Sequence, residues 1–242
     1  MTLDDLYLQH AIASFDKQIY LSAMHGKAHW ELRLDTHTLS FIGAHQLRND
    51  YTVDYLGTES DTEKTWLWAW GNGVMFKDET SLRSALALKQ LGAENHIEAF
   101  TSPTLLPPQM ICGARLASIA SGQCRAGAYF RCAYPDGSLY VLIRDPKFKR
   151  PVHRPLTRIA RILPMFNSDE RNLPQGDFQT AFEHYTQFYR LRYRVEKTHD
   201  HIIYTLVPSN QPQTIYGEGV AAPDLTSLAV YFDHKRGFVR CL

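Results

Sequence analysis

No apolar run in the sequence approaches the roughly 20 residues that crossing a bilayer requires, so an embedded protein is not expected. Net charge is also missing: 26 Lys and Arg stand against 25 Asp and Glu, which leaves +1. General affinity for nucleic acid or for anionic lipid needs a basic surplus, so neither is an expected partner. Four cysteines, Cys112, Cys124, Cys132 and Cys241, form no CxxC pair and no framework spacing. They read as reduced thiols of a cytoplasmic protein. Acid stands in the opening Met1-Thr2-Leu3-Asp4-Asp5, where an export signal would place Lys or Arg, and the expected location is again cytoplasmic. Catalytic signatures are equally scarce. There is no GxSxG, no phosphate-cradling GxxxxGKS/T, no GxGxxG after a strand, no HExxH and no finger spacing. An enzyme is therefore the less favoured expectation, with no metal and no cofactor.

What is present is ordinary for a globular protein, since 44% hydrophobic and 21% charged residues argue against global disorder. The 242 residues suffice for one large domain or two small ones. Leu8, Ile12, Phe15, Ile19 and Ala23 recur at helical spacing and predict one apolar stripe, with Thr2 as N-cap and Gly26 as stop. Period-two alternation then takes over at Trp30, Leu32 and Leu34, returns at 39–42, and continues through Tyr51, Val53 and Tyr55. Residues 57–64 read as a polar stretch. Helices are expected over 81–91, ended by Gly92, and from Pro107-Pro108 to about Ser121. Strands over 126–133 and 138–143 flank Pro135-Asp136-Gly137, a strong hairpin signal.

Beyond residue 144 the composition turns basic, with Arg144, Lys147, Lys149, Arg150, Arg154, Arg158 and Arg161 opposed only by Asp145. A boundary is placed here, giving a first domain over 1–145 and a C-terminal α+β region over 146–242 with a basic linker. That region shows a helical register at Phe178, Phe182, Tyr185 and Tyr189. Strand-like runs follow at 191–196, 201–207, 214–217, 227–232 and 238–241. The expected fold is α+β: an antiparallel sheet with helices packed on one face, followed by a smaller α+β part.

Two segments are candidate binding sites. In an extended Thr65-Trp66-Leu67-Trp68-Ala69-Trp70, the indoles of Trp66, Trp68 and Trp70 share one face, either as core or as the wall of a groove. Asn72, between Gly71 and Gly73, is placed to hydrogen-bond backbone in a turn. In a helix starting at Pro155, Arg154, Arg158 and Arg161 share a side opposite Leu156, Ile159 and Leu163. Such a row either pairs with local acids such as Asp169 and Glu170 or receives an acidic surface.

The Trp66-x-Trp68-x-Trp70-x-Asn72 string, behind an amphipathic helix and a Trp-bearing hairpin, resembles an uncharacterised family of bacterial domains marked by such a Trp-rich strand. Tyr129, Phe130 and Tyr140 would match its later Tyr-rich hairpin, and the resemblance covers roughly residues 5 to 145. It implies an architecture and a bacterial origin, with no activity attached, and a weak association with antidotes in bacterial competition. The remaining candidates lead nowhere. His199-Asp200-His201, the densest cluster among eleven histidines, reads as a turn, and nothing ties a histidine to Ser118, Ser121 or Cys124. The expectation is an interaction protein, of which an immunity-type antidote is one form, that binds a partner protein through an acidic surface at 50–63 and a basic one at 144–161. The alternative is a small-molecule binder or enzyme with a pocket walled by the Trp strand.

Overall fold

Thr2 starts helix α1 (Leu3–His25) with a reciprocal cap: its Oγ1 accepts the Asp5 N–H at 3.1 Å and the Asp5 carboxylate accepts the Thr2 N–H at 2.7 Å. Gly26 closes it, donating to the Ser22 carbonyl at 2.8 Å. The structure, a computed structural model, describes residues 1–76, 78–107, 111–148, 154–168, 177–207, 225–233, 235 and 237–242. The expected stripe on α1 does not form. Ile12 is buried, Leu8, Phe15 and Ile19 are half-buried and Ala23 is exposed, whereas Leu6, Tyr7, Ala11, Ala13, Ser14, Asp16 and Lys17 are all buried. A helix covered around most of its circumference has no single apolar face to read. Its buried cation is satisfied, because Lys17 Nζ donates to the carbonyls of Ser121 and Ala126 at 3.0 and 2.9 Å.

The chain falls into two compact units, Met1–Tyr7 with Ser14–Arg150, and Leu8–Ala13 with Pro151–Leu242. The first unit holds an antiparallel sheet of β1 (His29–Arg33), β2 (Thr38–Ile42), β3 (Arg48–Ser60), β4 (Thr65–Trp68), β5 (Thr104–Leu105), β6 (Ala128–Tyr134) and β7 (Gly137–Ile143). Its order runs β1-β2-β3-β4-β5, and β7 pairs with β3 on one side and β6 on the other. Between Tyr55 and Gly57 the register against β7 shifts: Tyr55 pairs with Val141 and Gly57 with Tyr140, leaving Leu56 as a bulge. The extra residue exchanges the faces. Tyr51, Val53 and Tyr55 enter one core with Leu39, Phe41, Val141 and Ile143, while Glu59 lies with Tyr140 on the opposite face. This is why alternation fades after Tyr55 and why residues 57–60, expected to be a polar stretch, are strand.

Helices α2 (Arg83–Asn95), α3 (Glu98–Thr101) and α4 (Gly113–Gln123) complete the unit. Two expected boundaries move. α2 runs through Gly92 to a left-handed cap at His96; a Cβ at Gly92 would lie 2.5 Å from that of Phe100, so glycine serves a close approach and not a stop. α4 starts at Gly113, several residues after Pro107.

The second unit packs α5 (Pro155–Asn167) and α6 (Phe178–Phe188) with an antiparallel sheet ordered β11 (Phe238–Cys241), β10 (Leu228–Phe232), β9 (Ile202–Val207), β8 (Arg192–Lys197). Leu156, Ile159 and Leu163 are buried on α5, and Phe182 meets both Tyr204 and Phe232 at 5.2 Å between ring centres. The expected strand at 214–217 lies outside the described residues. The fold is α+β, with a larger antiparallel sheet followed by a smaller one. Among the described residues, no helix is long and apolar enough to cross a membrane.

Candidate functional site

The tryptophan strand is core for two of its three indoles. Trp66 and Trp68 are 0% exposed, share a face of β4 and meet edge to face at 5.4 Å. Trp66 also meets Tyr140 at 5.5 Å and Trp68 meets Phe100 at 5.8 Å. Two glycines admit the first indole: a Cβ at Gly57 or at Gly113 would sit 2.5 or 2.8 Å from the Trp66 ring. Trp68 Nε1 donates to the Ala99 carbonyl at 2.9 Å.

Trp70 departs from the expected stripe. β4 ends at Trp68, whose N–H donates to the Pro103 carbonyl, and Ala69–Gly71 winds into a 3-10 turn that rotates Trp70 out of strand register. It is half-buried, with Lys89 Nζ 4.1 Å from the ring centre. Asn72 has the local role expected of it, its Oδ1 accepting the Met75 N–H at 3.2 Å.

Of the five acids in residues 50–63, Asp50, Asp61 and Glu63 are exposed, whereas Asp54 and Glu59 turn inward. Asp50 accepts from Ser40 Oγ at 2.5 Å and from Arg48 Nε at 2.8 Å, and these bonds hold its carboxyl below the usual range. Asp54 is buried. Glu59 accepts from the Gly113 N–H at 3.1 Å and from the Tyr140 hydroxyl at 2.7 Å, capping α4. Burial and the Glu59 charge push the Tyr140 phenol upward, so it stays a donor. A strand with one face buried turns every second acid inward, and those acids must then find partners.

Arg158 and Arg161 lie on α5. Arg154 precedes the helix in a left-handed conformation at φ 51°, Arg154 and Arg158 are half-buried and Arg161 is exposed. Asp169 and Glu170, expected to pair with it, lie outside the described residues. The row belongs to the second unit, whereas Trp66, Trp68, Trp70 and Asn72 belong to the first.

The most exposed element falls on the strand-like run expected at 191–196, but its place at the edge of a sheet was not foreseen. All six residues of β8, Arg192 to Lys197, are exposed, and β9 is the only strand that pairs with it among the described residues. Its register against β9 sets Tyr193 and Val195 opposite the buried Leu206 and Tyr204, on the side the rest of the sheet covers. Yet Tyr193 is 38% exposed and Val195 44%. Arg192, Arg194 and Glu196 point to the other side. The alternation of Arg192-Tyr193-Arg194-Val195 was legible as a strand; that it ends a sheet was not.

Other candidates lack convergence. Ser121 is held by Lys17, Cys124 Sγ donates to the Ser84 carbonyl at 3.6 Å, and burial pushes the Cys124 thiol up. His199 and Asp200 pair at 2.9 Å in a turn closed by Thr198 and His201. Among the described residues, no group of three or more His, Cys, Asp or Glu side chains could hold a metal ion.

A family model, that of the family of unknown function DUF6882, matches residues 4–146, more than half of the chain. Neither the curated proteins nor the solved structures contain a match.

Proposed function

The chain belongs to the DUF6882 family, to which no activity is attached, and we propose that it is an interaction protein whose edge strand β8 receives an extended, acidic segment of a partner protein. The observation that carries this reading is the exposure of all six β8 residues. An edge strand offers a row of backbone donors and acceptors for strand addition, and pockets or charges on alternate residues then select the partner. Here Arg192, Arg194 and Lys197 outweigh Glu196, so the complementary strand is acidic. An added strand would also cover Tyr193 and Val195. β8 lies beyond the residues the family model matches, so this reading concerns this chain and not the family at large. A bacterial, cytoplasmic antidote of the immunity type is the form of it that the Trp-strand resemblance suggests. The alternative pocket walled by the Trp strand loses support, since Trp66 and Trp68 offer no surface.

Hydrogen exchange of the full chain tests the proposal, using a short synthetic peptide alternating Glu with Val and its Lys-for-Glu counterpart. The acidic peptide should protect amides at 192–197, more weakly as salt rises, and Arg194→Glu should reverse the preference. Absence of protection at those amides, or equal protection by both peptides, would overturn it.

A further inference from the structure

A cleft of about 390 Å³ opens in the first unit, lined by residues of α2, the end of α4 and Arg144 just after β7. Its volume falls within the range of small-molecule sites. Behind it lies Asp54, whose side chain is 2% exposed and accepts from Ser84 Oγ at 2.6 Å. The strand bulge places this carboxylate just before the change of face. Two guanidinium groups stand before it, Arg83 with Nη2 at 3.6 Å and Arg144 with Nε at 3.9 Å.

Those separations decide the argument. Both exceed hydrogen-bond length, so the carboxylate attracts the two cations without consuming their donors. Arg83 donates once, from Nε to the Thr80 carbonyl at 2.9 Å, and is 65% exposed. Arg144 donates no side-chain hydrogen bond to any described residue and is 33% exposed. If their only task were to neutralise Asp54, one bidentate arginine would serve better than two distant ones. Two cations on one buried anion leave a positive charge with open donor forks at the cleft wall. Glu94, which also lines the cleft, accepts from the Gln90 amide at 2.9 Å and keeps its charge, so the positive wall is the one made by Arg83 and Arg144. Ala87, Leu88 and Leu91 supply apolar wall.

We infer that this cleft binds a small organic carboxylate, gripped by Arg83 and Arg144, with a short aliphatic body against Ala87, Leu88 and Leu91. Asp54 acts as a positioning residue that holds the two forks toward one point. Cys124 lines the same cleft and reports its occupancy.

Titration calorimetry of the full chain with butanoate, hexanoate, hexanol and inorganic phosphate tests this, beside the rate of Cys124 alkylation followed by peptide mass spectrometry. Hexanoate should bind more tightly than butanoate, hexanol should not bind, phosphate should bind more weakly than either acid, and bound hexanoate should slow alkylation of Cys124. Arg144→Gln should weaken hexanoate by about tenfold or more, as should Arg83→Gln. Ala87→Trp, at an exposed position, should abolish binding by filling the cleft while keeping both charges. No carboxylate binding at millimolar concentration, undiminished binding in Arg83→Gln, or phosphate equal to hexanoate would each overturn the inference.

Discussion

Replacing Trp66 by Ala separates a core indole from a ligand wall, and the expected cost follows from the structure. The side chain is 0% exposed and packs on Trp68, Tyr140 and two glycines. An indole of about 200 Å², at about 25 cal/mol per Å², gives about 5 kcal/mol of burial. Fully buried Trp→Ala changes cost about 3–5 kcal/mol. With a urea slope of about 2 kcal/mol per M, the transition of the first unit should move down by about 2 M. Trp70→Ala is the internal control. The residue is half-buried and Lys89 stands over its ring, a cation–π pair worth about 0.5–1 kcal/mol, so the midpoint should fall far less than for the fully buried Trp66. Urea unfolding of both variants, followed by far-ultraviolet circular dichroism and by the fluorescence of the remaining tryptophans, reads the difference. Equal costs for the two, or a Trp66→Ala cost below about 1 kcal/mol, would refute the assignment of this strand to the core.

Gly113→Ala should lower thermal stability by about 1–3 kcal/mol, because its Cβ would sit between 2.7 and 2.9 Å from Tyr140, Trp66 and Glu59 at once. Gly73→Ala, with nothing within 4 Å, should not, and similar melting temperatures for the two would contradict the packing described. His25 is stacked on Phe41 at 4.4 Å and bonded to the Tyr51 hydroxyl at 3.0 Å, and burial holds its pKa below the ordinary 6.5. The unfolded chain therefore takes up the proton first, so stability is lost as pH falls below about 6.5. His25→Phe should flatten the melting profile across that window, and an unchanged slope would place the dependence elsewhere. Asp50 and Asp78, whose pKa values are depressed by hydrogen bonds, act in a separate window: their contribution is present above the ordinary 3.8 and fades as pH falls further.

Much of the architecture was legible because local signals and tertiary packing agreed. Thr2 with Asp5, the Pro135-Asp136-Gly137 hairpin, α5 with its buried Leu156, Ile159 and Leu163, and α6 with Phe178, Phe182 and Tyr185 lie where residue chemistry puts them. The misses have one physical origin each. α1 is buried on several sides, so its polar Ser14, Asp16 and Lys17 hide a periodicity that a one-sided helix would show. Leu56 breaks the alternation of β3, so the last part of the longest strand, residues 56–60, does not read as strand. Trp70 follows a strand that stops two residues earlier, where the chain turns to pass Pro103; a Cβ at Gly71 would come within 2.9 Å of that residue.

The same bulge explains why the carboxylate cleft had no sequence signature. Asp54, Arg83, Cys124 and Arg144 come from four separate stretches of chain and carry no shared spacing. Asp54 sits between the core residues Val53 and Tyr55 and faces away from them, toward Ser84, in the last residues before the faces exchange. A buried carboxylate there costs stability unless charge or hydrogen bonds offset it. Here one hydroxyl at 2.6 Å and two cations beyond hydrogen-bond length face it. A residue fit only for stability would be replaced without loss by an apolar neighbour of similar shape. A buried charge in that setting serves a site that must keep two arginines aimed at an incoming anion, and the edge strand β8 needs nothing of the kind. The cleft and the edge therefore stand or fall by separate measurements.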